Sequence, residues 1–127
     1  MSSLDNVYAY DYDAEAGTAT GNKTIIKNMT NGSFHWTRTL LISKFNPDLL
    51  LVSRGSEGNI DPLAEVMSSG HATIKYFSIS KILQFPADHA RDGTVLGWGL
   101  RNDVGVAEHP ITGGIVSWPS FTHQRTT

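Results

Sequence analysis

Two short apolar runs, Leu40–Ile42 and Leu49–Val52, stand on either side of Asn46-Pro47-Asp48. Pro47 fixes its own φ, and the Asn46 and Asp48 side chains can bond local backbone, so the segment between the runs is a turn. Each run is too short for a typical helix and is bounded by turn residues, so both are predicted to be buried strands of one hairpin. In an antiparallel pair the start of one strand lies beside the end of the next. His35 stands just before the first strand, and the polar loop Arg54-Gly55-Ser56-Glu57-Gly58-Asn59 leaves the second. The hairpin therefore predicts a base and a cation, His35 and Arg54, at one rim.

The rest of the chain repeats this short-strand texture. Residues 6–13 alternate Val7, Ala9 and Asp11 against Tyr8, Tyr10 and Tyr12, a period-two strand with an aromatic face. Further strands are predicted over 23–28, 72–79, 95–100, 104–107 and 115–118. Asp61–Gly70 and Ser80–Gly93 read as loops, with one helical turn over Leu63–Met67 and no convincing helix elsewhere. Seven or eight short strands with regular turn signals define an all-β chain: a sandwich, a barrel or a propeller. A recurrence chooses the last. One hairpin begins at Thr37 and another at Val104, an offset of 67 residues (104 − 37), within the range of propeller blades with inserted loops.

Composition narrows the function classes. The chain has 127 residues, 39% hydrophobic and 17% charged, with a net charge of −2. It is of single-domain size, and its ten Lys and Arg are scattered, giving no basic patch for nucleic acid. No apolar run approaches the ~20 residues that span a bilayer. Cysteine is absent, which excludes disulfides and thiolate metal sites. Met1–Asp5 has neither a basic start nor an apolar core, so no signal peptide is expected here. Three sequons nevertheless crowd together, at Asn22, Asn28 and Asn31. They are either chance in an Asn- and Thr-rich stretch or the mark of a secreted parent protein.

Several residues are candidates for chemistry. An imidazole at a strand entrance, His35, can titrate and reach a substrate hydroxyl, although a lone histidine is more often a surface or capping group. Arg54, between serines and before glycines, is either a solvated loop residue or a guanidinium aimed at a carboxylate or a sugar. Glu57 and Asp61 follow no calcium-loop spacing. In Gly97-Trp98-Gly99-Leu100-Arg101-Asn102 the glycines allow close backbone approach to a flat ligand, and Arg101 and Asn102 offer donors to an anionic one. No metal-binding histidine spacing, nucleophile elbow, Walker loop or Rossmann fingerprint is present.

Two long stretches carry a resemblance. Thr37 to Asp61 (TRTLLISKFNPDLLLVSRGSEGNID) and Leu96 to Gly114 (LGWGLRNDVGVAEHPITGG) resemble the fungal pyrroloquinoline quinone (PQQ)-dependent pyranose dehydrogenases, within the wider soluble glucose/sorbosone dehydrogenase family of six-bladed propellers. The resemblance runs from about Leu4 to Gly114. It implies an all-β partial propeller of about two blades over residues 1–114, and a divergent or truncated tail over 115–127. It implies an oxidoreductase acting on sugars, with PQQ and calcium as cofactors of the complete parent domain. His35 matches the family's proton-accepting histidine. Arg101 and Asn102 match its cofactor-contacting Arg-Asn pair, and Arg54, in a loop facing the same site, is a further cofactor-binding candidate. No metal ligand is assigned within this chain; calcium ligands are expected beyond Gly114. The parent is expected to be secreted, with a sugar substrate and an electron acceptor such as a cytochrome domain, and the isolated chain is expected to be inactive. The alternative is a secreted, non-catalytic module that holds glycans through Trp36, Trp98 and Arg54.

Overall fold

The computed structural model describes residues 1–29 and 35–119. Part of the sequon cluster and the last eight residues of the predicted tail lie outside the described residues.

The predicted hairpin forms. β3 (Leu40–Ile42) pairs antiparallel with β4 (Leu49–Arg54), with Leu41 opposite Leu51. The turn closes as its residues require: Ser43 Oγ accepts from the Asn46 amide at 2.9 Å, and Leu49 N donates to Asn46 O at 2.9 Å. β4 pairs on its other side with β5 (Thr73–Ser78), which pairs with β7 (Thr94–Trp98), giving a four-stranded antiparallel sheet in the order β3-β4-β5-β7. β4 is buried on both faces, which explains its unbroken run of apolar residues where a half-exposed strand would alternate.

Leu50 and Val52 turn toward a second sheet, made by β1 (Val7–Asp13), β2 (Thr18–Lys27) and the two-residue β6 (Ala87–Asp88). Between the sheets lies the core: Val7, Ile25, Ile26, Met29, Leu50, Val52, Phe77, Ile82 and Ala87. β2 starts five residues earlier than predicted. The Asp13 carboxylate accepts from the Glu15 and Ala16 amides, and Gly17 takes φ +66°, so the chain reverses there and zips β2 back along β1. The added residues are exposed and polar, hence without a readable alternation.

The structure also corrects the loop predicted over 80–93. Ile79–Gln84 form α1, capped by Ser78 Oγ accepting from the Lys81 amide, with Ile82 buried. Six residues are too few for helical periodicity to register. The turn predicted at Leu63–Met67 appears as two short 3-10 turns, Pro62–Glu65 and Met67–Ser69.

A separate hairpin, β8 (Asp103–Glu108) with β9 (Ile115–Pro119), follows the four-stranded sheet. Its first strand lies beside β3. Thr39 Oγ1 donates to Val104 O at 3.2 Å and Ser43 Oγ to Glu108 Oε1 at 2.6 Å, each across 65 residues. The repeat predicted from an offset of 67 therefore places the first strands of two hairpins side by side in separate sheets, joined by side-chain hydrogen bonds. No helix among the described residues is long and apolar enough to cross a membrane.

Polar groups are also buried. Arg38, 8% exposed, is held by the Leu4, Met29, His35 and Thr37 carbonyls, and Lys75, 3% exposed, by those of His89, Ala90 and Asp92. His89 is fully buried near both Lys75 and Arg54. Burial first, then those cations, push its pKa down to about 3.

Two measurements check this packing. Ile26→Ala should lower unfolding free energy by about 2–5 kcal/mol in chemical denaturation. His89 is neutral when folded and titrates near 6.5 when unfolded, so it is without effect above pH 6.5 and opposes folding increasingly below it. Stability should fall between pH 6.5 and pH 5, with this group's slope approaching about 1.4 kcal/mol per pH unit, and His89→Leu should flatten that fall.

Candidate functional site

The site is built where β4 runs out. Beyond its ladder, Ala72 N donates to Gly55 O at 3.3 Å and Leu100 N to Ala72 O at 3.1 Å, so residues 55, 72 and 100 carry the sheet one step further onto the rim. There Ser56 N donates to Arg101 O at 2.5 Å, joining the loop that leaves β4 to the corner that enters β8. Arg101 sits at φ +29°, a conformation that costs a non-glycine residue roughly 1–3 kcal/mol and persists only where neighbours enforce it. That hydrogen bond and one from the Arg101 guanidinium to Asn59 Oδ1 enforce it.

His35 closes the same rim. Its Nδ1 lies 2.8 Å from Ser56 Oγ, and Ser56 Oγ lies 2.8 Å from Gly58 O. A Cβ placed on Gly55 would stand 2.8 Å from His35 Cβ, 3.2 Å from Arg101 O and 3.3 Å from Asn102 Oδ1. Glycine is required at 55 for lack of space, and the tight fit shows that His35, Arg101 and Asn102 converge on one backbone position. Asn102 Oδ1 accepts the Thr37 hydroxyl, so the donor capacity of the Asn102 side chain lies on its amide nitrogen. The His35 pKa is lowered, first by burial and then by the Arg101 charge, with the Ser56 backbone acting in the opposite direction. The imidazole is thereby kept neutral and able to accept a proton.

Arg54 is placed differently from the other predicted residues. Its backbone ends β4 at the rim, but the residue is 2% exposed. A Cβ on Gly70 would stand 3.4 Å from Arg54 Nη1 and 3.4 Å from His89 Nδ1, so the guanidinium reaches inward. A cleft of about 730 Å³ opens beside the rim, lined by Ser56, Asn59, Asp61, Glu65, Trp98 and Arg101 among others. Trp98 is 52% exposed there.

Glu57, Asp61 and His71 bring ligand-type atoms within 4.8 Å of one another. Asp61 is already engaged. It accepts from the Glu57 amide at 2.7 Å, from the Leu63 amide at 3.0 Å and faces His71 Nδ1 at 2.8 Å. Burial raises its pKa, but these partners outweigh it and the net shift is downward. The trio ties the loop together. Sequence reasoning missed His71 here, ten residues from Asp61, and treated Ser56 only as loop; the small residue between Gly55 and Gly58 was the available signal.

The sheet order, the hairpin that follows it and the first strands lying side by side define a segment of a β-propeller. A family model described as TrAA12-like matches residues 1–122, and the chain belongs to that family. A PQQ-dependent sugar dehydrogenase of Hypocrea jecorina (strain QM6a) is 47% identical over 120 residues, which cover 91% of this chain and 27% of that protein. The chain thus spans about a quarter of the curated relative's length. Among solved structures, the calcium structure of the Trichoderma reesei family AA12 carbohydrate-active enzyme superposes with TM-score 0.83 at 45% identity, covering 91% of this chain and 29% of that one. The holo form of the PQQ domain of pyranose dehydrogenase from Coprinopsis cinerea gives 0.84 at 40% identity, covering 91% and 28%.

The charge effect at the rim is directly measurable. In a ¹H–¹⁵N NMR titration His35 should protonate below pH 6.5, and Arg101→Gln should move its midpoint upward.

Proposed function

We propose that this chain is part of a PQQ- and calcium-dependent sugar dehydrogenase that oxidises the anomeric carbon of a pyranose. The supporting observation is the convergence of His35, Arg101 and Asn102 on Gly55. The donor set fits the cofactor. PQQ is a flat tricarboxylate, and a guanidinium beside an amide N–H is the pairing such a group wants. Arg101 and Asn102 hold it in this reading. When bound, PQQ supplies the hydride acceptor, its quinone carbonyl polarised by calcium as a Lewis acid.

His35 accepts the proton of the anomeric hydroxyl. A neutral imidazole suits this, and burial and Arg101 keep it neutral. Thr37 orients the Asn102 amide through its hydroxyl. Arg54, directed inward, supports the rim from beneath through its attraction to Asp61 and Glu57.

Residues 1–114 carry the propeller segment in this reading, and 115–127 a divergent tail whose first residues still pair with β8. The isolated chain is inactive. β9 has β8 as its strand partner and leaves Val116 57% and Trp118 75% exposed, whereas a closed propeller covers such edges. Calcium ligands and further cofactor contacts come from the remainder of the parent, which we take to be secreted and to pass electrons to an acceptor such as a cytochrome domain. The exposed Trp36 and Trp98, 67% and 52%, favour a second reading, a glycan-binding module without redox chemistry.

Sugar-dependent dye reduction by the PQQ-loaded parent domain separates the two, since only the dehydrogenase reduces dye. In that domain His35→Ala should lower turnover at least ~10²-fold; unchanged turnover would remove His35 from the mechanism.

A further inference from the structure

The Ser56 hydroxyl has two neighbours and one proton. Gly58 O, 2.8 Å away, is a carbonyl and can only accept, so the hydroxyl proton points to it. His35 Nδ1, also 2.8 Å from Ser56 Oγ, must then supply the proton of its own contact. The reverse assignment, with the hydroxyl donating to Nδ1, would leave two oxygens 2.8 Å apart with no hydrogen between them. Ser56 is 2% exposed, so bulk water does not compete for the hydroxyl. Its backbone is fixed independently by the hydrogen bond its amide donates to Arg101 O, and Gly55 holds His35 Cβ in van der Waals contact. The His35 Cβ and the Ser56 backbone are therefore both held in place.

We infer that Ser56 is a positioning residue, whose hydroxyl, committed to Gly58 O, holds the proton of His35 on Nδ1 and leaves Nε2 as the basic nitrogen. The unrestrained imidazole in water prefers the opposite tautomer, with the proton on Nε2, so the hydrogen-bond chain His35 Nδ1–H to Ser56 Oγ–H to Gly58 O works against the intrinsic preference. A neutral oxygen in this place has a second consequence. A carboxylate acceptor would stabilise the imidazolium and raise the pKa of the base; a hydroxyl fixes the tautomer without adding that charge. The catalytic importance of this device rests on the proposed role of His35, but the tautomer itself does not.

The test uses the full-length protein carrying this sequence, ¹⁵N-labelled at histidine, free of cofactor and substrate, at a pH where His35 is neutral. The wild type should show His35 as the Nδ1–H tautomer. Ser56→Ala should shift it to Nε2–H, and Ser56→Thr, which keeps a hydroxyl, should retain Nδ1–H. In the PQQ-loaded protein, Ser56→Ala should lower kcat about 10- to 100-fold with little change in KM, and Ser56→Thr should recover most of it. A wild-type Nε2–H tautomer, or an Nδ1–H tautomer that survives Ser56→Ala, overturns the assignment, as it would if the hydroxyl served only to close the turn at Gly58. If the tautomer shifts as expected while His35→Ala retains full turnover, the positioning stands and the proposed base falls.

Discussion

The rim depends on one backbone hydrogen bond, from the Ser56 amide to the Arg101 carbonyl. It joins two loops 45 residues apart (101 − 56) at 2.5 Å. The candidate site residues His35, Arg101 and Asn102 are arranged around it. It fixes Arg101 in a left-handed conformation that an arginine does not adopt unaided, and that conformation sends the chain on into β8. It also brings Gly55 so near His35 that no side chain could be tolerated there. The strand beneath holds this geometry in place. β4 is buried on both faces and each of its residues has a partner in β5, so a slip in register would disturb packing on both sides at once.

The interior is more polar than its strand pattern suggests. Arg38 and Lys75 are buried with backbone carbonyls as partners, and burial pulls both pKa values down, Arg38 to about 10. Carbonyl dipoles replace carboxylates in solvating these cations. Loop backbone, which otherwise carries unsatisfied acceptors into the fold, thereby gains donors. The cost falls on His89, whose two ring nitrogens lack a hydrogen-bond partner among the described residues.

The central hairpin was legible because three signals agreed: two apolar runs, a turn with a stated geometry and polar residues at the far ends. The placing of His35 beside the loop after β4 followed from antiparallel pairing alone. The approach of Arg101 and Asn102 was not visible in local pattern. It depends on how a second hairpin lies against the first, and only the family resemblance pointed to it. The inward turn of Arg54 was hidden for another reason: neighbours of a loop arginine in sequence say nothing about His89, 35 residues away (89 − 54). Helix α1 and the early start of β2 were missed because six residues are too few for a helical period and an exposed polar strand has no period to show.

The pairings across 65 residues have a consequence for how the molecule is made. The meander from β3 through β5 is held by neighbours in sequence and can form early. The Thr37–Asn102, Thr39–Val104 and Ser43–Glu108 links cannot, since each closes a long loop before it returns any stabilisation. The candidate site is therefore completed last: His35 meets Ser56 with the local meander, while Arg101 and Asn102 arrive only when the non-local strand docks. High contact order at the rim makes the order of assembly scaffold first, electrostatics second.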